Sequence, residues 1–465
     1  MGNQSVKVVR IGSRRLLEIQ RSVDAVQFLG LLALALPLWI LMANGEFSNL
    51  SMDKLWNVAN RVSALFATSL LLVHILLVSR APWLEKTLGL DKLTHAHKQL
   101  GKPLLYLLIL HTVLASVDFA MVDGINPVAA FTFLNLHYQE VLLATIGLVL
   151  MVGVVISSIR AARRRLSYEA WYLIHITSYL AILAAVPHQL ELGTDFLGQP
   201  LIKSYFTLLY VLVAANLIWF RTLQPILLSL GARLKVIEVK PEANRTTSIV
   251  VDGRKVDRFG AEAGQFFLLR VLTAKQWWRP HPFSVSNSPA DQIRFTVGNR
   301  GDDTHALQEI KVGTRVILEG PYGVFTESKR TKQHITLLAA GIGVAPIRAL
   351  AESLAAEPGD VTVIYRATNA SDAALLDEVK RICLDRGHNL HVLEGPRPQG
   401  QGFLPVPSEV EQAKPEHVRL LDLSPMLLDS DIYICGPSQW SKAAKHSLDK
   451  LGIKNPQIHL EEFAW

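Results

Sequence analysis

Six long apolar runs decide what the first half of this chain can be. They fall at about 25–43, 58–79, 98–117, 141–159, 169–187 and 203–220. Each is close to the roughly 20 residues that an α-helix needs to cross a hydrocarbon layer of about 30 Å. A backbone in lipid must satisfy its own N–H and C=O groups, so the runs predict six membrane helices over residues 25–221. Residues 232–465 have the composition of a water-facing globular half, with strands, helices and turns in alternation. The first run is read as a retained helix, because it is long and no small-residue cleavage pattern follows it.

Basic residues orient the bundle. The N-terminal arm, residues 1–24, carries Lys7, Arg10, Arg14, Arg15 and Arg21. The second loop and the start of the third run carry Arg80, Lys86, Lys92, Lys98 and Lys102, and the loop after the fourth run carries Arg160, Arg163, Arg164 and Arg165. The opposite side offers only Lys54, Lys203 and, at a helix edge, Arg61. The positive-inside rule places the rich side in the cytoplasm, and an even number of spans puts the soluble half there too. A multi-pass protein of the cell membrane, with both termini cytoplasmic, is the expectation. The net charge of +7 sits largely in these loops, so no nucleic-acid partner is needed to explain it. Cys383 and Cys435, the only two cysteines, both lie in the cytoplasmic half, where a structural disulfide is not expected. No repeat, low-complexity tract or EF-hand loop is present, and nothing implies a regulatory module or subunit.

Histidine is expensive inside a bilayer and marks function there. His97 and His111 stand fourteen apart on the third run, and His175 and His188 thirteen apart around the fifth. At a rise of about 1.5 Å per residue, each pair is separated by roughly 20 Å along its helix. Two sites stacked across one membrane would use His97 with His175 near the cytoplasmic face and His111 with His188 near the outer face. Neutral imidazole is a common iron ligand, and a flat macrocycle ligated on both faces needs one histidine from each helix. Two bis-histidine b-type haems are the expectation, with His74 structural. Fourteen steps of about 100° return His97 and His111 to one helix face, and leave His95 well off it. Thirteen steps misalign His175 and His188, so a kink or π-bulge at Pro187 is predicted to restore their facing. Arg61 either meets an outer haem propionate or an acceptor, or extends to the outer surface.

In the soluble half, LKVIEVK, TSIVVD, QFFLLRVL, IRFTVG and TRVILEG predict a small antiparallel barrel over 232–329. Within it, VGNRGDDTHAL runs from Val297 through Gly301 and Thr304 at a strand-to-helix turn suited to phosphate. Residues 333–465 alternate strand and helix, which implies a parallel sheet binding nucleotide at the carboxyl ends of its strands. Gly341, Gly343 and Pro346 form GxGxxP at the first such end, and Cys435, Gly436 and Pro437 stand at another. Arg366 ends the second strand, where it would meet a 2′-phosphate or be a solvated charge.

These segments carry a resemblance. HPFS, GxxT, GxGxxP and CGP together resemble the ferredoxin-reductase-like FAD/NAD(P)H module. The six helices with HX13H and HX12H resemble the ferric reductase transmembrane domain. Their fusion over about 25–465 is similar to the NADPH oxidase and ferric reductase superfamily, especially its short bacterial members. The resemblance implies that His97, His111, His175 and His188 bind two haems. It implies that His281, Pro282, Phe283 and Ser284 cradle FAD, with Ser284 near flavin N5 and His281 near the pyrophosphate. Gly301 and Thr304 match the flavin phosphate turn. Gly341, Gly343 and Pro346 match the pyridine-nucleotide turn, and Cys435 the cysteine near the nicotinamide. The tail HLEEF matches an ending in which Glu461 is the acid and Phe463 the ring over the flavin. Two further residues, Ala464 and Trp465, leave both Phe463 and Trp465 as candidates for that ring.

The implied function is an electron path from cytosolic NADPH, or NADH, through FAD and two haems to an outer acceptor. Dioxygen, giving superoxide, is the first expectation. A ferric or cupric chelate is the alternative. A haem-containing membrane sensor or transporter with a nucleotide-sensing domain is the rival from another class; it would lack a competent flavin site and an aromatic lid.

Overall fold

The computed structural model describes residues 12–48, 51–243, 245–274, 276–289, 291–299, 301–396, 402–405 and 414–462. Phe463 and Trp465 lie outside the described residues. The chain divides into two compact units: residues 24–84 with 90–220, and residues 221–465 with 85–89 and the residues up to 23.

The first unit is built from α1 (Ser13–Ala43), α2 (Met52–Leu76), α3 (Leu90–Asp123), α4 (Gln139–Ser158), α5 (Tyr168–Glu191) and α6 (Pro200–Ile218). All six are long and apolar enough to cross a membrane. Local chemistry starts them where the sequence allows. The Ser51 hydroxyl accepts from Lys54 N–H at 3.3 Å and the Ser167 hydroxyl from Ala170 N–H at 3.1 Å, each satisfying an orphan donor of the first turn. Pro200 opens α6, where a missing N–H costs nothing. Leu41, Leu72, Ile202 and Phe206 form the buried centre, while Leu31, Trp39, Val149, Leu183 and Leu208 are exposed. That inversion, apolar both inside and outside, suits a bundle solvated by lipid. Gly147 lets α4 and α5 approach closely, since a methyl there would fall 2.6 Å from the Ala181 carbonyl oxygen.

Of the two forms expected at Pro187, a kink or a π-bulge, the π-bulge is absent. α5 is α-helical throughout, with Pro187 inside it, and no π-turn interrupts it. The π segment of this chain lies instead at Trp219–Leu223, between α6 and α7 (Gln224–Ala232). The histidine rings on α5 reach their partners without a π-bulge, because an imidazole stands well off its Cα and swings about two side-chain torsions.

In the second unit, β1 (Lys235–Pro241), β2 (Thr246–Asp252), β3 (Phe266–Val271), β4 (His281–Ser284), β5 (Ile293–Gly298), α8 (Asp302–Gln308) and β6 (Val316–Tyr322) form the antiparallel part expected to bind FAD. The expected antiparallel domain takes the form of two three-stranded sheets, ordered β1-β2-β5 and β4-β3-β6. Bridges at Lys235–Arg315 and Val285–Phe295 tie them together around Ile249, Phe267, Leu269 and Phe295. The nucleotide part follows as β7 (His334–Ala340), α9 (Val344–Ser353), β8 (Val361–Ala367), α10 (Leu376–Arg386), β9 (Asn389–Glu394), α11 (Glu416–Leu423), β10 (Ser430–Gly436), α12 (Ser438–Lys450) and β11 (Ile458–Glu462). Its sheet is parallel, ordered β11-β10-β7-β8-β9. The strand order reverses between β7 and β10, which opens a crevice at their carboxyl ends.

Candidate functional site

The membrane unit brings together the four histidines singled out by spacing. α3 supplies His97 and His111, and α5 supplies His175 and His188. The rings of His97 and His175 are 6.1 Å apart, centroid to centroid, and those of His111 and His188 are 6.4 Å apart. Two imidazoles on opposite sides of one metal, with bonds of about 2 Å each, place their centroids roughly 6 Å apart. Among the described residues, no three His, Cys, Asp or Glu side chains converge as a metal cage. Each histidine pair thus offers two donors, the number a macrocycle leaves open on its iron. The residues fit haem.

Other groups surround these rings. Ser63 lies 3.4 Å from His111 Nδ1 and donates to the Asn60 carbonyl at 2.7 Å, so its lone pairs are free to accept from the ring. The Trp171 ring lies 4.9 Å from that of His175. His74 enters neither pair and rests against His97. Arg61 is drawn into carboxylates: its Nε lies 3.1 Å from Asp195 and its Nη1 2.9 Å from Glu46. Asp195 is buried on the short helix Thr194–Gly198. Asp118 accepts from Asn57 and Asn60 at 3.1 and 3.0 Å. Spacing could not find these partners, because they come from four separate segments.

In the FAD-binding part, β4 is the segment HPFS. It pairs antiparallel with β3, setting Ser284 opposite Phe266 and His281 opposite Leu269. Phe283 packs on the core beside Phe295, and its ring lies 6.2 Å from that of His281. The Ser284 hydroxyl is buried and has no hydrogen-bond partner in the protein. Such a group is costly unless a ligand satisfies it, so the cradle fits a flavin. Pro282 occupies the strand between them. Val297 is buried in β5, and the turn beyond it reaches Gly301, which precedes α8 with φ of 150°. The Thr304 hydroxyl donates to the Gly301 carbonyl at 2.9 Å, closing that turn.

In the nucleotide part, Gly341 and Gly343 form the turn from β7 into α9, and Pro346 lies buried in its first turn. Gly343 is required by close approach, since a methyl there would fall 2.1 Å from the Cys435 carbonyl oxygen. A cavity of about 220 Å³ opens at these strand ends, lined by Gly341, Arg366, Thr368, Asp372, Pro437 and Trp440 among others. Arg366 lines it while donating to the Gly395 carbonyl at 2.7 Å. Cys435 is fully buried beside its register partner Glu461. Burial, helped by the charge of Glu461, pushes its thiol well above the usual range. Gly436 and Pro437 lead from β10 into α12. Gly298, at the end of β5, faces the nucleotide turn, where a methyl on it would contact Ile342 at 3.7 Å.

Six membrane helices and FAD- and nicotinamide-binding domains define a transmembrane oxidoreductase. Three family descriptions match in succession: "Ferric reductase like transmembrane component" over residues 63–186, "FAD-binding domain" over 232–326 and "Oxidoreductase NAD-binding domain" over 337–446. That succession is the architecture of the ferric reductase and NADPH oxidase superfamily, to which the chain belongs. Half of the chain is 29% identical to a flavohemoprotein of Rhizobium meliloti. Half is 27% identical to the ferredoxin reductase component of a 3-ketosteroid-9-alpha-monooxygenase from Mycolicibacterium smegmatis. The chain spans 60% and 65% of the lengths of these relatives. Among solved structures, the flavohem-like FAD/NAD-binding domain of a nitric oxide dioxygenase from Vibrio cholerae matches with 23% identity and a TM-score of 0.40. That match covers 50% of this chain and 98% of the other.

Proposed function

We propose that this protein moves electrons from cytosolic NADPH across the cell membrane to dioxygen on the outer side, giving superoxide, with FAD and two bis-histidine haems as resident groups. When bound, FAD and haem would supply hydride acceptance and single-electron transfer, which the protein's residues only position. The observation that carries the reading is the double pairing of His97 with His175 and His111 with His188, at separations of 6.1 and 6.4 Å, in a chain with FAD- and NAD-binding domains.

The protein's own residues do the holding. His97, His175, His111 and His188 offer neutral ring nitrogens to iron. Ser284 offers its buried hydroxyl to the flavin ring, with His281, Pro282 and Phe283 forming the rest of the cradle. Val297, Gly301 and Thr304 border the flavin phosphate turn. Gly341, Gly343, Pro346, Gly436 and Pro437 shape the nicotinamide crevice, and Cys435 with Glu461 closes its floor. Arg366, which lines the strand-end cavity, would meet a 2′-phosphate there, and on this reading the nucleotide is NADPH. Of the two tail aromatics, Phe463 is the one the HLEEF match favours over Trp465 for the ring over the flavin. Arg61, held between Glu46 and Asp195, orders the outer end of the bundle.

The carboxylates Glu46, Asp118 and Asp195 favour a second reading, in which the acceptor is a ferric or cupric chelate attracted to an acidic outer end. One experiment tests both. NADPH is added anaerobically to full-length, FAD- and haem-loaded protein while the haem Soret band is followed. Reduction supports electron transfer; no reduction overturns it and favours the haem-containing sensor. In air, superoxide-dismutase-sensitive dye reduction then identifies dioxygen as acceptor, and insensitive ferric-chelate reduction identifies the metal.

A further inference from the structure

The membrane unit holds a fifth histidine that neither ring pair uses. His74 lies in the last turn of α2. Its ring is stacked on that of His97, with centroids 3.8 Å apart and planes 18° from parallel. The two residues also exchange hydrogen bonds. His97 Nδ1 lies 3.2 Å from the His74 carbonyl, and His74 Nε2 lies 2.9 Å from the His97 carbonyl. A carbonyl oxygen only accepts, so both of these ring nitrogens carry their protons. For His97 that assigns Nδ1–H and leaves the lone pair on Nε2.

The acceptor exists because α2 ends here. Leu77 N–H bonds the Val73 carbonyl at 3.1 Å, and the His74 carbonyl is among the last four, which a helix leaves without an intrahelical donor of its own. A helix end thus meets the early turns of α3, and a ring lies flat on a ring. At the outer pair, the side-chain contact of His111 Nδ1 is the Ser63 hydroxyl, at 3.4 Å.

We propose that His74 is a positioning residue for His97, locking its tautomer and ring plane so that Nε2 is presented to iron. The inference rests on the reading of His97 and His175 as axial ligands. Its consequence is electronic as well as geometric. A ligand imidazole that donates its other N–H to a carbonyl becomes more basic, and a more basic ligand stabilises the oxidised metal.

The test uses full-length, haem-loaded protein. His74→Phe leaves the backbone carbonyl that accepts from His97 Nδ1 in place, keeps an aromatic ring in the stack, and removes only the Nε2–H that holds the His97 carbonyl, so it tests the hold on the ring plane. The readouts are haem content and low-temperature electron paramagnetic resonance of the low-spin signals. The expected result is that one low-spin signal shifts as the His97 ring plane is released, while the other signal stays where it is. Retention of the affected haem weakens by roughly 10- to 100-fold, the usual effect of losing a group that supports a metal ligand. Unchanged signals in H74F overturn the proposal. His74→Gln, which retains a donor, is expected to recover part of the shift, and carries the same readouts if H74F fails to assemble. His97→Ala separates the two levels of the argument: two low-spin haems surviving in H97A overturn the ligand reading itself, whereas loss of one haem in H97A with no effect of H74F overturns only the role of His74.

Discussion

Arg294 on β5 and Glu378 on α10 join the FAD-binding and nucleotide-binding parts through two hydrogen bonds, each 2.9 Å long. Arg348 Nε reaches the same carboxylate at 2.8 Å, and its other nitrogens bond Glu352, which also accepts from Ser288 N–H at 2.6 Å. Burial pushes Glu378 upward, but Arg294 and then Arg348 outweigh it and hold the carboxyl below its usual range. The sign follows: a lowered folded pKa contributes stability above the ordinary glutamate range, and that contribution is lost as pH falls through the folded value. Glu378→Gln is expected to cost about 2 kcal/mol at neutral pH, since both arginines lose a charged partner in a mostly buried place. Thermal unfolding of the soluble unit across the acid range checks it. The difference between wild type and variant should shrink as pH falls; a constant difference would sink the account.

Ser284 sets stability against function. Its buried hydroxyl has no protein partner, so Ser284→Ala removes a desolvation cost of about 1–3 kcal/mol. Without FAD the variant is expected to be at least as stable as wild type. With FAD it should bind the cofactor more weakly and accept hydride from NADPH more slowly. Thermal shifts with and without FAD, together with stopped-flow flavin bleaching, measure the two sides.

The nucleotide turn has no room for a methyl group. Gly343→Ala would drive a carbon to 2.1 Å from the Cys435 carbonyl oxygen, so the turn or the end of β10 must move, at about 1–3 kcal/mol. Flavin content is expected to stay normal, while the KM for NADPH rises roughly tenfold, the equivalent of about 1.4 kcal/mol. A normal KM would show that the turn does not contact the nucleotide.

The outer histidine pair separates chemistry on the two sides of the membrane. His111→Ala or His188→Ala is expected to leave anaerobic flavin reduction unchanged, to lower haem content from two per chain to one, and to abolish reduction of an outer acceptor. Pyridine haemochrome assay counts the haems, and an impermeant dye reports the outer reaction. Outer reduction surviving either change would contradict a two-haem path.

Much of this molecule was legible in its residues. The six helices stand near the six apolar runs because hydrocarbon thickness and backbone hydrogen bonding act on each run separately. The five strands named from β-rich runs are all present, and so is the alternating parallel domain, because local pattern and turn chemistry bear on each. HPFS at β4 was legible only as a motif, being four residues long with three of them proline or polar. The expected π-bulge at Pro187 did not appear, since the angular arithmetic of one ideal helix leaves out side-chain reach.

Spacing along single helices therefore determined which histidines could face one another, and the glycine turns determined where nucleotide could approach. It could not determine that His74 lies flat on His97, that Arg61 is held by Glu46 and Asp195, or that Glu378 takes Arg294 and Arg348 together. Those partners are 15 to 134 residues apart. Periodicity carries information only within an element, whereas these contacts depend on where separate elements pack.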